Sequence, residues 1–319
     1  MSDSKIDNDT LICSIVRWFD AYATKDIDGD TNRMEIDWLR AAPFIALHFA
    51  VLFVFVVGWS PIAVAVAIIL YAVRMFAITG FYHRYFSHRA FKTSRITQFI
   101  FSVIGASAVQ RGPLWWASHH RLHHRNSDKG SDQHSPKQHG FLWSHTGWFL
   151  AKQNFPSRLD YIKDFAKFPE LKFIDRYDVF IPIILGTSLF IFGEVLYNLY
   201  PELNTNGWQM FIWGFVISTI VLNHITFTIN SLAHTIGSRR FDTNDDSRNN
   251  WFLAIFTFGE GWHNNHHFYP NSARQGFLWW EIDLTYYILK LFEKVGLVWD
   301  LKELPARVKD QIALIQVLK

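Results

Sequence analysis

The chain has 319 residues, 50% of them hydrophobic and 17% aromatic, with a formal net charge of +3. That modest charge argues against nucleic acid as the main partner, and the single cysteine, Cys13, excludes an internal disulfide and any cysteine-rich metal site. The apolar residues gather in a few runs, each close to the roughly 20 residues that a bilayer crossing needs, so the composition points to an integral membrane protein.

The opening decapeptide, MSDSKIDNDT, is polar and mixed in charge. It lacks a basic stretch followed by an apolar one, so no cleaved signal peptide is expected and the first spans serve as the insertion signal. Residues 1–40 read as an N-terminal cytoplasmic segment. A first apolar run extends from about Ala41 to Trp59, Ser60-Pro61 break it, and a second extends from about Ile62 to Gly80; together, 41–80 predict a transmembrane hairpin. Arg74 falls late in the second run, where it would snorkel or mark the point at which the helix leaves the bilayer.

Residues 81–177 are mostly polar, interrupted by a shorter apolar stretch from Thr97 to Val109 that reads as interfacial or re-entrant. A second hairpin over 178–232 combines the runs Val179–Leu199 and Trp208–Leu232 around a loop at Pro201–Gly207. Residues 233–319 are polar again. Within them Ile282, Tyr286, Leu289, Phe292 and Val295 recur at helical spacing, predicting an amphipathic helix from Glu281 to about Lys302 that lies on the membrane or packs on the domain core. Four spans put both polar regions on one side. Arg84, Arg89, Lys92, Arg95, Arg111, Arg121 and Arg125 crowd the first of them, while the turns near Ser60 and Pro201–Gly207 carry no Lys or Arg. The positive-inside rule places that side, and both termini, in the cytoplasm.

Both polar regions carry histidines in compact boxes: His83-x4-His88, His120-x2-His123-His124 and His263-x2-His266-His267. His234 stands alone between the last two. On a helix, positions i, i+3 and i+4 share a face, so the second and third boxes each converge if helical; the five-residue spacing of the first is looser. Asn230 and His234 are four apart at the end of the fourth span and can point together. His119 also sits four before His123, but the spacing to a His-His pair selects His120. His48, His134, His139, His145 and His224 match no box and read as structural or supporting residues. A structural zinc site closes with about four ligands. The nine histidines of the boxes and His234 are too many for one ion and about right for two, and nitrogen ligation without thiolate suits iron, copper, nickel or zinc. A two-metal site beside lipid suggests dioxygen chemistry on an apolar substrate.

The segments GFYHRYFSHRAF (Gly80–Phe91), WWASHHRLHHRNSD (Trp115–Asp128), NSLAH (Asn230–His234), GEGWHNNHHFYP (Gly259–Pro270) and WWEIDLTYYILKLFEKVGLVWDLK (Trp279–Lys302) resemble the membrane-bound fatty acid desaturases, specifically the acyl-CoA Δ9, stearoyl-CoA-type branch. The resemblance covers nearly all of the chain after about residue 40. It implies an all-α membrane fold: four transmembrane helices beneath a cytoplasmic helical cap that holds a histidine-rich di-iron site. The implied iron ligands are His83, His88, His120, His123, His124, His234, His263, His266 and His267, with Asn230 bound through water. The implied reaction uses O2 and two electrons to remove two hydrogens from adjacent methylenes, leaving a cis double bond and water. A bent apolar tunnel would fix which carbons react, with Gln110, Trp116, Thr226 and Phe227 near the bend. Phe227 departs from the tryptophan of the vertebrate branch, so the bend would be shaped differently. Arg111, Lys137 and Arg274 are the candidates for an acyl-CoA headgroup. No HPGG-type haem-binding segment occurs, so a separate ferredoxin, rubredoxin or cytochrome b5 with its reductase is the expected electron donor. The compact length favours a bacterial inner membrane over the endoplasmic reticulum. Acyl-lipid desaturation, membrane fatty acid or alkane hydroxylation, and non-catalytic metal binding are the competing readings.

Overall fold

The computed structural model describes residues 11–23 and 34–317; the opening decapeptide lies outside them. Among the described residues four helices are long and apolar enough to cross a membrane: Trp38–Val57, Pro61–Ser87, Phe180–Leu199 and Gly207–His234. Local chemistry starts three of them. The Asp37 carboxylate accepts from the Arg40 N–H at 3.1 Å, and the Ser60 hydroxyl oxygen accepts from the Ala63 N–H at 3.0 Å. Asn206 and Gln209 form a reciprocal capping box, each side chain satisfying a backbone donor that the helix start leaves open. Between the first two spans Gly58 takes a left-handed φ of 66°, which allows the short turn.

The second and fourth spans form the inner pair, while the first presents Phe55 and Val56 (84% and 79% exposed) on its outer face. Arg74 does not snorkel. It is 1% exposed and donates to the Thr219 hydroxyl (2.7 Å), the Ser218 hydroxyl (2.5 Å) and the Ser107 carbonyl (3.2 Å). Those polar groups on the fourth span and the adjoining turn replace the water it would otherwise seek.

The short apolar stretch forms a helix, Arg95–Ala106. Val109 and Arg111 then adopt φ of 60° and 69° and reverse the chain into the helix Pro113–Asn126, which carries the second box. Gly112 begins that helix because a Cβ there would sit 2.4 Å from an Asp175 carboxylate oxygen. Asp175, from the helix Pro169–Arg176, accepts from the Trp115 N–H at 2.7 Å, the Ser157 hydroxyl at 2.6 Å and the Tyr22 hydroxyl at 3.1 Å. It thus supplies a cap that Gly112 cannot. Burial pushes the Asp175 carboxyl up to about 6. Its native pKa therefore lies above the unfolded value, so between about pH 4 and 6 the folded chain holds a proton that the unfolded chain has lost, and stability falls as pH rises through that window. Asp175→Asn is expected to flatten that limb in thermal unfolding scans across pH; an unchanged slope would show that other groups dominate there.

The amphipathic segment is helical over Leu284–Lys294 only. Gly296, at φ 76°, ends it, and Val298–Trp299 pairs antiparallel with Lys92–Thr93. The helix buries Leu289 and packs Phe292 on the core, while Ile282 and Val295 are exposed.

Candidate metal centre

The first histidine box follows from the way the second span ends. Its last eleven residues, Ala77–Ser87, wind as a π-helix and are all buried. The His88 N–H donates to the His83 carbonyl at 3.2 Å, the i to i+5 bond of that helix type. A spacing that is loose on an α-helix is in register here. The second box lies on Pro113–Asn126 and the third on the short helix His263–Phe268, so the i, i+3 and i+4 positions share a face as their spacing predicts.

The nine box and inter-box histidines divide into two groups. Ring nitrogens of His83, His88, His120, His124 and His266 lie within 4.8 Å of one another, and those of His123, His234, His263 and His267 do the same. The inward atoms in the first group are Nε2: His83 to His266 at 3.0 Å, His88 to His120 at 2.9 Å, and His266 to His124 at 3.0 Å. In the second, His234 Nε2 meets His263 Nε2 at 3.0 Å.

Carboxylates hold the outward nitrogens. His83 Nδ1 contacts Glu260 at 2.5 Å, His123 Nδ1 contacts Asp132 at 3.0 Å, His234 Nδ1 contacts Asp128 at 2.8 Å, and His267 Nδ1 contacts Asp245 at 2.7 Å. An imidazole that donates from Nδ1 keeps its lone pair on Nε2 and aims it inward. His83, His123, His234 and His267 thus aim lone pairs inward, and the buried His267 Nε2 has no hydrogen-bond partner. Such a donor set is suited to cations. Burial, reinforced by neighbouring imidazoles, holds His88, His120, His124, His263 and His266 well below the usual histidine range, and burial pushes His267 down to about 4. These rings are neutral at physiological pH, the form a metal requires. Burial acts the same way on His123, but Asp132 outweighs it and raises that ring. Asp245→Asn is expected to weaken metal binding about 10- to 100-fold, read as metal retained against a chelator series; parent-like retention would remove Asp245 from the support.

Arg84 secures the same shell. It is 1% exposed and binds Glu260 at 3.1 Å, both oxygens of Asp283 at 2.9 and 3.0 Å, and the Ala273 carbonyl at 2.7 Å. His119 falls outside both groups, bonded to Gln133 and the Pro156 carbonyl, and His139 bonds the Asp132 carbonyl. His134 stacks on His123 at 4.2 Å.

A cavity of about 560 Å³ opens beside the two histidine groups, within the usual range for small-molecule sites. His83, His120, His123 and His263 form part of its wall, with Asn230, while Phe211, Phe215 and Gly186 line it within the spans. Gln110, Trp116, Thr226 and Phe227 all line it. Gln110 donates to Asn223 (3.0 Å) and Thr226 (2.6 Å), and the Trp116 indole donates back to Gln110 at 3.3 Å. The Trp116 ring also stacks on His120 at 5.1 Å, joining this network to the histidines. Asn230 is half-buried, and its carbonyl accepts from Ser144. Of the three headgroup candidates only Arg111 lines the cavity, where it pairs with Asp178 at 3.0 Å. Lys137 pairs with Asp246 on an exposed surface, and Arg274 lines a separate hollow near the C-terminal helix. Arg17, Trp18 and Arg40 join Arg111 in lining the cavity where the N-terminal helix meets the first span.

The supporting residues Asp128, Asp132, Asp245, Glu260 and Asn223 were not singled out from the sequence. Glu260 precedes the third box by three positions and Asp128 follows the second by four, which is their only local signal.

The model of the family described as fatty acid desaturase matches residues 58–300, more than half of the chain. An sn-1 stearoyl-lipid 9-desaturase of Anabaena variabilis is 36% identical over 277 residues, covering 85% of this chain and 96% of that protein. A Delta-9 acyl-lipid desaturase of Arabidopsis thaliana is 37% identical, with 84% of each chain covered. An acyl-CoA 5-desaturase of Anemone leveillei is 34% identical, covering 89% and 88%. With four apolar spans, two histidine groups suited to a di-iron site and this degree of similarity, the chain belongs to the fatty acid desaturase family.

Proposed function

We propose that this desaturase is an O2-dependent Δ9 enzyme whose two metals are iron and whose substrate is a saturated chain esterified to a glycerolipid. The observation that carries the reading is a single largely apolar cavity with four of the metal-site histidines in its wall. The two 9-desaturases described above act on lipid-bound chains by name, which supports Δ9 and a lipid carrier. Acyl-CoA is the second reading, favoured by the arginines that line the cavity: Arg40 is 8% exposed, lies over the Phe155 ring at 4.0 Å, and no ion pair to it is found among the described residues. An anionic headgroup would satisfy it.

His83, His88, His120, His124 and His266 would hold one iron, and His123, His234, His263 and His267 the other, with Asn230 reaching the second through water. Bound iron would supply the O2 reduction that converts two adjacent methylenes to an alkene, with two electrons and two protons from outside and two waters formed. The chain itself does the rest. Asp128, Asp132, Asp245 and Glu260 fix the imidazoles, the apolar wall excludes water, and the Gln110–Asn223–Thr226 network fixes where the acyl chain turns. A separate ferredoxin, rubredoxin or cytochrome b5 delivers the electrons. Positive-inside charge supports a cytoplasm-facing site, in a bacterial inner membrane or the endoplasmic reticulum.

The test is expression in a bacterium with no oxygen-dependent desaturase but with a co-expressed ferredoxin system. Lipid classes are separated before gas chromatography–mass spectrometry of derivatised chains. Oxygen-dependent Δ9 monoenes appearing first in intact glycerolipid are expected. Label from supplied acyl-CoA turning monounsaturated before lipid incorporation would establish the second reading, and hydroxylated chains would overturn both.

A further inference from the structure

Behind one wall of the cavity, three separate elements each contribute one phenylalanine and one histidine. The first span supplies Phe44 and His48, the segment after the second box supplies His145 and Phe149, and the fourth span supplies His224 and Phe227. All three phenylalanines line the cavity. Their rings form one contact set, with centroids 5.3 Å apart for Phe44–Phe149, 4.9 Å for Phe149–Phe227 and 6.5 Å for Phe44–Phe227.

The three histidines belong to neither metal group, yet they are bonded to one another in series. His48 Nε2 meets His224 Nε2 at 3.0 Å, and His224 Nδ1 meets His145 Nε2 at 3.0 Å. One end of the series is the Phe44 carbonyl, 2.8 Å from His48 Nδ1; the other is the Ser231 hydroxyl, 3.0 Å from His145 Nδ1. A carbonyl only accepts, so His48 carries its proton on Nδ1 and accepts at Nε2. His224 then donates from Nε2 and accepts at Nδ1, His145 donates from Nε2 and accepts at Nδ1, and the Ser231 hydroxyl donates to it at 3.0 Å in preference to the Phe227 carbonyl at 3.2 Å. One tautomer set satisfies every ring nitrogen with all three rings neutral. Because the series ends on a carbonyl, it leads no proton onward and acts as a clamp. The clamped rings press on the wall: His48 lies 4.4 Å from Phe44, and His145 and His224 lie 5.8 and 6.0 Å from Phe227.

We propose that His48, His145 and His224 are positioning residues that set the site of desaturation, by holding in place the Phe44–Phe149–Phe227 wall of the cavity that His83 and His120 also line. This rests on the reading of that cavity as the acyl site. Phe227 follows Thr226, so the wall continues directly into the Gln110 network, and its position decides how far the acyl chain advances before it turns. Deleting His224 leaves two half-buried ring nitrogens unpaired, on His48 and His145, and deleting His48 leaves His224 Nε2 unpaired; the freed groups rearrange at the expense of the packing around them.

The test compares the full chain with His48→Leu, His224→Leu and His48→Gln, whose side-chain oxygen can accept where Nε2 does. Phe149→Leu opens the same wall without touching the histidines. Bound iron, double-bond position and product chain length are measured together in isolated membranes. The leucine variants are expected to keep parent iron and to raise a shifted double-bond isomer from a trace to about a tenth or more of the monoenes, the scale on which one methylene is discriminated. His48→Gln returns the parent distribution, and Phe149→Leu gives the same shifted isomer. A single parent isomer in iron-loaded histidine variants overturns the proposal. So does equal loss of product in His48→Leu and His48→Gln without any positional change. If the leucine chains do not accumulate, Phe149→Leu with His48→Gln decides: an unshifted isomer in Phe149→Leu overturns the role of the wall. A parent chain that binds iron and makes no alkene refutes the desaturase reading itself, a result distinct from each of these.

Discussion

His267→Ala is expected to abolish turnover and to lower bound metal from about two ions per chain towards one. The ring is buried, its Nδ1 is tied to Asp245 at 2.7 Å, and its Nε2 has no hydrogen-bond partner. It belongs to the group of four, with His123, His234 and His263. That group has fewer donors to spare than the group of five, so loss of one is felt fully. The five-histidine group lies on other side chains and keeps its ion. Activity is expected to fall below about a hundredth of the parent, since even removal of an outer partner weakens such sites about 10- to 100-fold. Metal analysis of the purified chain beside an O2-consumption assay checks both halves. Full activity with about two metals bound would remove His267 from the ligand set.

Arg84→Leu is expected to cost about 3–5 kcal/mol of stability, the range for breaking a buried ion pair from one side. The guanidinium is buried among Glu260, Asp283 and the Ala273 carbonyl. Leucine would fill much of the volume but leave two carboxylates buried without their cation. Those carboxylates have other tasks: Glu260 holds His83, and Asp283 accepts from the Gln275 backbone N–H at 2.6 Å. The variant is therefore expected to lose metal as well as thermal stability, and Arg84→Lys to recover only part of both because it lacks the planar fork. Unfolding of the detergent-solubilised chain reads the first effect and metal retention the second. A change of less than about 1 kcal/mol would mean that the carboxylates find other partners.

The spans and the histidine boxes were legible because both are written in short-range spacing. Apolar runs near the length of a bilayer crossing need no tertiary information, and neither do His120-x2-His123-His124 and His263-x2-His266-His267 once they are helical. The division of nine histidines into five and four was not legible. His123 and His124 are adjacent in the chain but belong to different groups, a split decided by which neighbours arrive from the π-wound end of the second span and from the end of the fourth. The same limit hid the carboxylates: Asp128 serves His234, and the two are 106 positions apart. Arg74 misled because a cation in an apolar run ordinarily reaches for water, whereas here Ser218 and Thr219 lie beside it across the bundle. Lys137 and Arg274 are headgroup candidates on charge alone, and charge does not say which side chains reach the cavity. His48, His145 and His224 matched no box, and only their meeting in space gives them a common role.

On the reading proposed above, nine histidines of this chain hold two irons. Iron counting with Mössbauer spectroscopy on the purified, iron-57-loaded chain tests it most directly. About two irons per chain are expected, both ligated by nitrogen and oxygen without sulfur, falling to about one in His267→Ala. A single iron in the parent chain, or zinc that iron cannot replace, would contradict it.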